Sequence, residues 1–508
     1  MLIGCVGNST DELDDKQKDK EIVITGKIMD ASMNTLTIED VNGVKHDFNK
    51  ENADTSEAQG LFIGAMVSVS YDSSSVEENK PIHLKKVTYL ENYQVIEGGV
   101  VEYYDEHLTL MLKDNQTLEF QTAALDLELN IGDQISVLMS GNLETETDLF
   151  IHQVTILKHR ETEFVDSFAP YEQQASAYLK SMSLEEKVGQ VFLVRCPEPE
   201  YIDQYLSLNP AGLLLFGRDF KDKDMQTVID EIQSYQDKSE TPLLIAVDEE
   251  GGSVVRVSSN PQLAKAPFKS PSQLYAEGGF ELIYEDAKEK SNVLNALGIN
   301  VNLAPVADIA TNSNAFIYNR TIDLGPTETA TYVEYVVKGM KESGLSGTLK
   351  HFPGYGNNVD THTGIAVDNR DYETFVNEDF LPFKSGVAAG VESILVSHNI
   401  VNSMDSELPA SLSSKVHQII RDELEFTGVI MTDDLTMGAI TSLETDVPIV
   451  VLGLQAGNDL MIVSDFVWRH AELLDAFNTG TVSEEQLDTA VLNVLKWKFY
   501  MGLLPIEK

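Results

Sequence analysis

From about residue 165 the sequence alternates eight short apolar runs with stretches of helical period, and that alternation leaves few folds open to the chain. The runs are 191–195 (VFLVR), 212–217 (GLLLFG), 243–248 (LLIAVD), 299–308 (INVNLAPVAD), 347–352 (GTLKHF), 393–398 (SILVSH), 428–433 (GVIMTD) and 460–465 (LMIVSD). Strands this apolar must be covered on both faces, as in a parallel sheet. Helical period occupies 225–237, 281–297, 327–343, 412–425, 467–478 and 483–503, and Ser183 with Glu186 forms a capping-box pattern before the first strand. The pattern predicts an α/β chain whose residues 165–508 close into a (β/α)8 TIM-like barrel.

Polar residues stand at the ends of six runs: Arg195, Asp248, Asp308, Lys350 with His351, His398 and Asp433. Barrel sites are built where strands end and loops begin, so this recurrence predicts a polar pocket at one face. Asp248 is followed by Gly251-Gly252 and then Arg256, and its carboxylate can accept from two adjacent hydroxyls of a sugar ring. Asp433 ends a strand, a rigid placement that suits a nucleophile. Between 350 and 364 runs KHFPGYGNNVDTHTG, where Asp360 can orient His362 for general acid/base work near neutral pH. No HExxH or other closely spaced ligand set occurs, nor a GxGxxG or Walker loop, so neither metal nor cofactor is expected.

The first third of the chain has a different texture. Residues 21–158 show short alternating apolar stretches and turn residues, and they repeat. Gly26 and Gly98 open the two copies; Leu36-Thr37-Ile38 matches Leu108-Thr109-Leu110, Val67-Ser68-Val69 matches Ile135-Ser136-Val137, and Val87-Thr88 matches Val154-Thr155. Two β-rich modules, 21–92 and 93–160, are expected, each a small five-stranded barrel resembling the OB-fold. With 82 acidic against 36 basic residues and a net charge of −46, the chain lacks the basic groove that nucleic acid requires. The modules are therefore expected to act as a spacer or wall-facing element, with glycan binding as the alternative. Residues 1–20 are polar and aperiodic and read as a tether. Within them Leu2-Ile3-Gly4-Cys5 resembles a bacterial lipoprotein box, so lipidation of Cys5 and an extracellular, cell-surface location are expected, with membrane contact through that anchor alone.

The segments SMSLEEKVGQVFLVR, LLIAVDEEGGSVVR, LAPVADIATN, YNRTIDLG, KHFPGYG, DTH and TGVIMTDDLTMGAI, in that order, resemble glycoside hydrolase family 3 in its single-barrel β-N-acetylglucosaminidase branch. The resemblance covers about residues 170–508. It implies contacts to the −1 sugar from Asp248, Arg256, Arg320, Lys350 and His351, a nucleophile at Asp433, and an acid/base at His362 partnered by Asp360. It also implies an exo-acting, retaining β-N-acetylhexosaminidase acting on peptidoglycan- or chitin-derived glycans. The alternatives are a β-glucosidase or a phosphorylase on the same barrel, or an inactive glycan-binding surface lipoprotein. The sequence departs from the family pattern at Tyr355, commonly histidine, and at Thr361, commonly serine.

Overall fold

The computed structural model describes residues 21–506, apart from 41–43, 57–60, 62, 74–81, 91–92, 105–106, 113–116, 122–132, 143–146, 159–165, 357–363, 365 and 444. Cys5, Asp360 and His362 lie outside the described residues. The chain divides into two compact units, 1–162 and 163–508.

In the first unit, β1 (Glu21–Ala31), β2 (Thr35–Asp40), β3 (Lys45–Asn49), β4 (Met66–Asp72) and β5 (Ile82–Tyr89) close a barrel in the order β1-β2-β3-β5-β4. The pairs are antiparallel except β3 with β5. Five more strands repeat that order: β6 (Tyr93–Tyr104), β7 (His107–Met111), β8 (Thr117–Gln121), β9 (Gln134–Asn142) and β10 (Thr147–Lys158), with β8 parallel to β10. This is the strand order of the OB-fold. The sequence repeat is the repeat of the two cores: Leu36, Ile38, Val67, Val69 and Val87 are buried in the first barrel, and Leu108, Leu110, Ile135, Val137 and Val154 in the second. Phe48 and Phe120 add one buried ring to each. The glycines that open the copies sit where two strands approach closely. A Cβ at Gly26 would lie 2.6 Å from the Glu39 carbonyl oxygen, and one at Gly98 2.8 Å from that of Met111.

The second unit is an eight-stranded parallel barrel. Its strands are β11 (Phe192–Arg195), β12 (Gly212–Leu215), β13 (Leu244–Val247), β14 (Val301–Asn302), β15 (Ser346–Phe352), β17 (Ser393–Val396), β19 (Val429–Thr432) and β20 (Met461–Val463). They stand in chain order around the sheet, β20 pairs with β11, and a parallel bridge from Met431 to Leu460 joins β19 to β20. A two-residue ribbon, β16 (Val367–Asp368) with β18 (Ile400–Val401), sits beside the sheet.

Alternate residues of these strands serve an inner and an outer layer, because successive side chains point to opposite faces. Leu193, Leu214, Ala246, Val301, Leu395, Met431 and Ile462 fill one cluster together with Phe168 and Trp497. Val194, Leu213, Ile245, Val247 and Val463 pack in another with helical residues such as Val228, Ile232 and Leu294. Trp497 bonds Ser346 at the start of β15 (Nε1 to Oγ, 3.1 Å), so the last helix, Glu484–Tyr500, plugs the foot of the barrel and leaves the strand ends at the other face.

Two expected elements differ in extent. The helix expected over 281–297 begins at Pro271, behind a Ser270/Gln273 capping box, and breaks at Gly278-Gly279, which is why its early turns carry no continuous period. The run 299–308 is a strand only at Val301–Asn302 and pairs again through a single bridge from Val306 to Lys350, with Pro305, which cannot donate to a sheet, lying between.

Candidate active site

Asp248 is the first residue beyond β13, and the chain from 248 to 250 continues its alternation. Asp248 and Glu250 both reach Lys350 on β15: Nζ lies 2.7 Å from Asp248 Oδ1 and 2.6 Å from Glu250 Oε1. Glu249 points the other way and ties down the returning loop. Its carboxylate accepts the backbone N–H groups of Arg256 and Val257 at 2.7 Å each, and the Ser258 hydroxyl at 2.5 Å. That loop turns through Gly251 (φ +104°) and Gly252 (φ +61°), and it brings the Arg256 guanidinium to 3.8 Å from Asp248 Oδ2. Phe216, which follows β12, lies beneath two cations, with the Arg195 guanidinium carbon 4.5 Å and that of Arg256 5.6 Å from its ring centre.

Arg320, in the turn Tyr318–Arg320, closes the same cluster. It grips Glu250 with two parallel bonds, Nε to Oε2 at 2.8 Å and Nη2 to Oε1 at 2.7 Å. Its Nη2 also donates to His351 Nε2 at 3.2 Å. The other ring nitrogen of His351, Nδ1, donates to Asp308 Oδ2 at 2.7 Å, and the His351 backbone N–H reaches the same oxygen at 3.0 Å. Asp308 Oδ1 accepts the Tyr355 N–H at 2.7 Å. Tyr355 itself is buried, edge-on to His351 and to Phe316. The aromatic side chain at this departure from the family pattern thus backs the His351 wall as packing.

Asp248, Glu250 and Asp308 stand against Arg256, Arg320 and Lys350, so the cluster balances its charge. Burial by itself would push the Glu250 carboxyl up, but Lys350 and Arg320 outweigh it and hold the group well below the usual carboxylate range. Burial likewise opposes the charge on Lys350, and Asp248 and Glu250 reverse that and raise it. Two cations are therefore fixed in a water-poor mouth with their donors already aimed.

The β17–β19 side is built differently. Asp433 follows β19; its backbone N–H donates to the Val396 carbonyl at 3.0 Å, and its Oδ1 accepts the Asp434 N–H at 2.8 Å. Asp434 turns away. Its Oδ1 accepts from the Thr436 N–H and hydroxyl (2.9 and 2.7 Å), and its Oδ2 from the Ser464 hydroxyl (2.7 Å). His398, buried at the end of β17, donates from Nε2 to the Asp434 carbonyl at 3.0 Å and meets the Ser411 hydroxyl through Nδ1 at 2.7 Å. It braces the turn that carries Asp433.

Of the residues singled out from sequence, the fold gathers Asp248, Arg256, Arg320, Lys350 and His351 into one network, and Asp433 stands beyond the end of another strand of the same barrel. Glu250 and Asp308 are members that the sequence reading did not select. Glu250 could have been found by stepping two residues from Asp248 along an extended chain. Asp308 was visible only as one polar strand end among six. Among the described residues no group of three or more His, Cys, Asp or Glu side chains is arranged for a metal ion.

Residues 183–497 match the family described as glycosyl hydrolase family 3 N terminal domain. A beta-hexosaminidase of Xylella fastidiosa (strain 9a5c) is 34% identical over 288 residues, 56% of this chain and 82% of that protein. The solved glycoside hydrolase family 3 beta-N-acetylglucosaminidase from Paenibacillus sp. str. FPU-7 superposes with a TM-score of 0.59 at 29% identity, over 64% of this chain and 65% of that one. A beta-glucoside phosphorylase superposes with a TM-score of 0.58 over 66% of this chain and 61% of its own, and at 22% identity that likeness concerns the fold alone.

Proposed function

The chain belongs to glycosyl hydrolase family 3 and is a glycoside hydrolase, and on that premise we propose that it is an exo-acting, retaining β-N-acetylhexosaminidase that removes terminal β-N-acetylglucosamine from peptidoglycan- or chitin-derived glycans. What supports this reading most is the Asp248–Lys350–Glu250–Arg320 network at the strand ends of a barrel that also carries Asp433 at a strand end. A sugar ring offers adjacent hydroxyls; Asp248 accepts from them, and Lys350, Arg256, Arg320 and His351 donate or flank.

In the first step Asp433 attacks carbon 1 of the terminal sugar, and the bond to the leaving oxygen breaks. His362, protonated and partnered by Asp360, gives its proton to that oxygen. A glycosyl-aspartate forms. In the second step a water attacks carbon 1, His362 takes a proton from it, and the Asp433 carboxylate is released. Two displacements at one carbon retain its configuration. Lipidation of Cys5 and a location at the cell surface complete the proposal, on the Leu2-Ile3-Gly4-Cys5 sequence alone. Mass spectrometry of membrane fractions tests that part.

Nitrophenyl N-acetylglucosaminide and nitrophenyl glucoside, each with and without phosphate, test the activity. Release from the N-acetylglucosaminide without phosphate is expected. A preference for the glucoside, a strict need for phosphate, or no release at all would each overturn the assignment.

A further inference from the structure

Arg370 lies outside the charge network of the mouth, yet it joins two parts of the chain that flank Asp360 and His362. Its Nε and Nη2 donate to Asp368 Oδ2 at 3.0 and 2.9 Å, and its Nη1 donates to Asp379 Oδ2 at 2.7 Å. The same Nη2 donates to the Gly354 carbonyl at 3.0 Å. The guanidinium carbon is 4.2 Å from the centre of the Phe375 ring, which holds the fork flat. Gly354 follows β15, whereas Asp368 belongs to β16, which is anchored through its pairing with β18. One side chain therefore bonds the chain before residues 357–363 and the chain after them.

The surroundings are built for that contact. Asp379 is buried and presses against Gly354 so closely that a Cβ there would lie 2.1 Å from Asp379 Oδ1. The entering strand is held again one residue on, where the Tyr355 N–H meets Asp308. Arginine supplies several directed donors in one plane, and a lysine ammonium cannot reproduce that fork.

We propose that Arg370 is a positioning residue for the acid/base pair: by joining Gly354 to Asp368 it fixes the two points from which the chain bearing Asp360 and His362 departs and to which it returns. Tying the ends of a stretch of chain removes conformations it would otherwise have. A proton-transfer group contributes only as far as it is held in place, so the loss of this tie is read in the proton-transfer step. The inference rests on the acid/base reading of His362 given above.

The test is leaving-group dependence in the full chain. For a retaining enzyme kcat/KM reports the first displacement, which needs a proton donor for a sugar leaving group but hardly for dinitrophenolate. Arg370→Gln is expected to lower kcat/KM on an N-acetylglucosamine disaccharide by about 10- to 100-fold, within the range of a misplaced acid/base group, and on the dinitrophenyl glycoside by no more than about 3-fold. Azide should restore kcat on the dinitrophenyl substrate, because it attacks the glycosyl-aspartate without a proton to surrender. Arg370→Lys should show the same split at smaller size, and it is the variant to read should Arg370→Gln fail to fold. His362→Ala is measured alongside, and the double variant should show no larger split than His362→Ala. Equal losses on both substrates in the Arg370 variants, or a split in His362→Ala alone, would overturn the positioning role and leave the acid/base reading standing. No split in His362→Ala would overturn both.

Discussion

The two walls of the barrel mouth hold their charges by different means. On the β13–β15 wall, ions hold ions: Lys350 and Arg320 pair with Glu250, and Lys350 again with Asp248. On the β17–β19 wall the described contacts include peptide and hydroxyl dipoles: the Asp434 N–H at Asp433, and Thr436 and Ser464 at Asp434. Ion pairs lock several side chains to one another, and losing one member leaves the rest buried and uncompensated. A dipole orients a carboxylate without itself cancelling the charge, which suits the nucleophile proposed at Asp433. In the proposed function the first arrangement serves recognition of a ring, and the second serves bond formation.

Substitutions at each wall can break this contrast. The largest effect is expected at Asp433. Asp433→Asn should lower kcat on the order of 10⁴-fold or more, with KM and folding stability little changed, because the ion-paired wall is untouched. Steady-state kinetics with denaturant unfolding would check this, and a KM change as large as the kcat change would erase the distinction.

Glu250→Gln should do the reverse and disturb stability and recognition together. Removing one member of a buried ion cluster costs about 3–5 kcal/mol, and displaced Lys350 and Arg320 should lower kcat/KM on the order of 10²-fold. The sign of its pH effect follows from its lowered value. The stability that Glu250 contributes is full above its unfolded value of 4.5 and is lost as the pH falls below it. Denaturant titrations from pH 6 down to about pH 3 should therefore show a shallower acid decline in Glu250→Gln than in the native chain.

The smallest effect tests whether the contrast is confined to the mouth. Glu392, at the foot of the barrel just before β17, accepts the Gly347 N–H at 3.0 Å, but burial outweighs that bond and pushes its carboxyl up from 4.5 to about 7. The stability tied to its proton is full below 4.5 and is lost as the pH rises toward and past 7. Glu392→Gln should flatten the fall in thermal midpoint between pH 5 and pH 8, by at most about 3 kcal/mol equivalent, and leave kcat/KM as it is. An activity loss would show that the foot of the barrel is coupled to its mouth.

Much of the architecture was legible before any coordinates. Seven of the eight strands fall within the apolar runs and β15 starts one residue before its own, because a strand covered on both faces needs consecutive apolar residues. The two small barrels were visible as a repeat, because each copy buries the same alternate positions. The helix Ile449–Ala456 was not legible, since IVVLGLQA is apolar all round and carries no period. The β16/β18 ribbon is two residues on each strand and too short to leave any pattern.

The sequence by itself determined the order of the barrel strands, the twin β-modules and the polar residues that end those strands. These are local properties, written in the spacing of neighbouring residues. Only the tertiary structure decided which of those residues meet. Lys350 finds Asp248 across 102 positions, Arg320 finds Glu250 across 70, and Arg370 bonds Gly354 across 16. Those partners are chosen by the closure of the barrel and by the routes its loops take. Burial then decides the electrostatics, because a charge taken out of water must be met by whichever opposite charge the fold brings beside it.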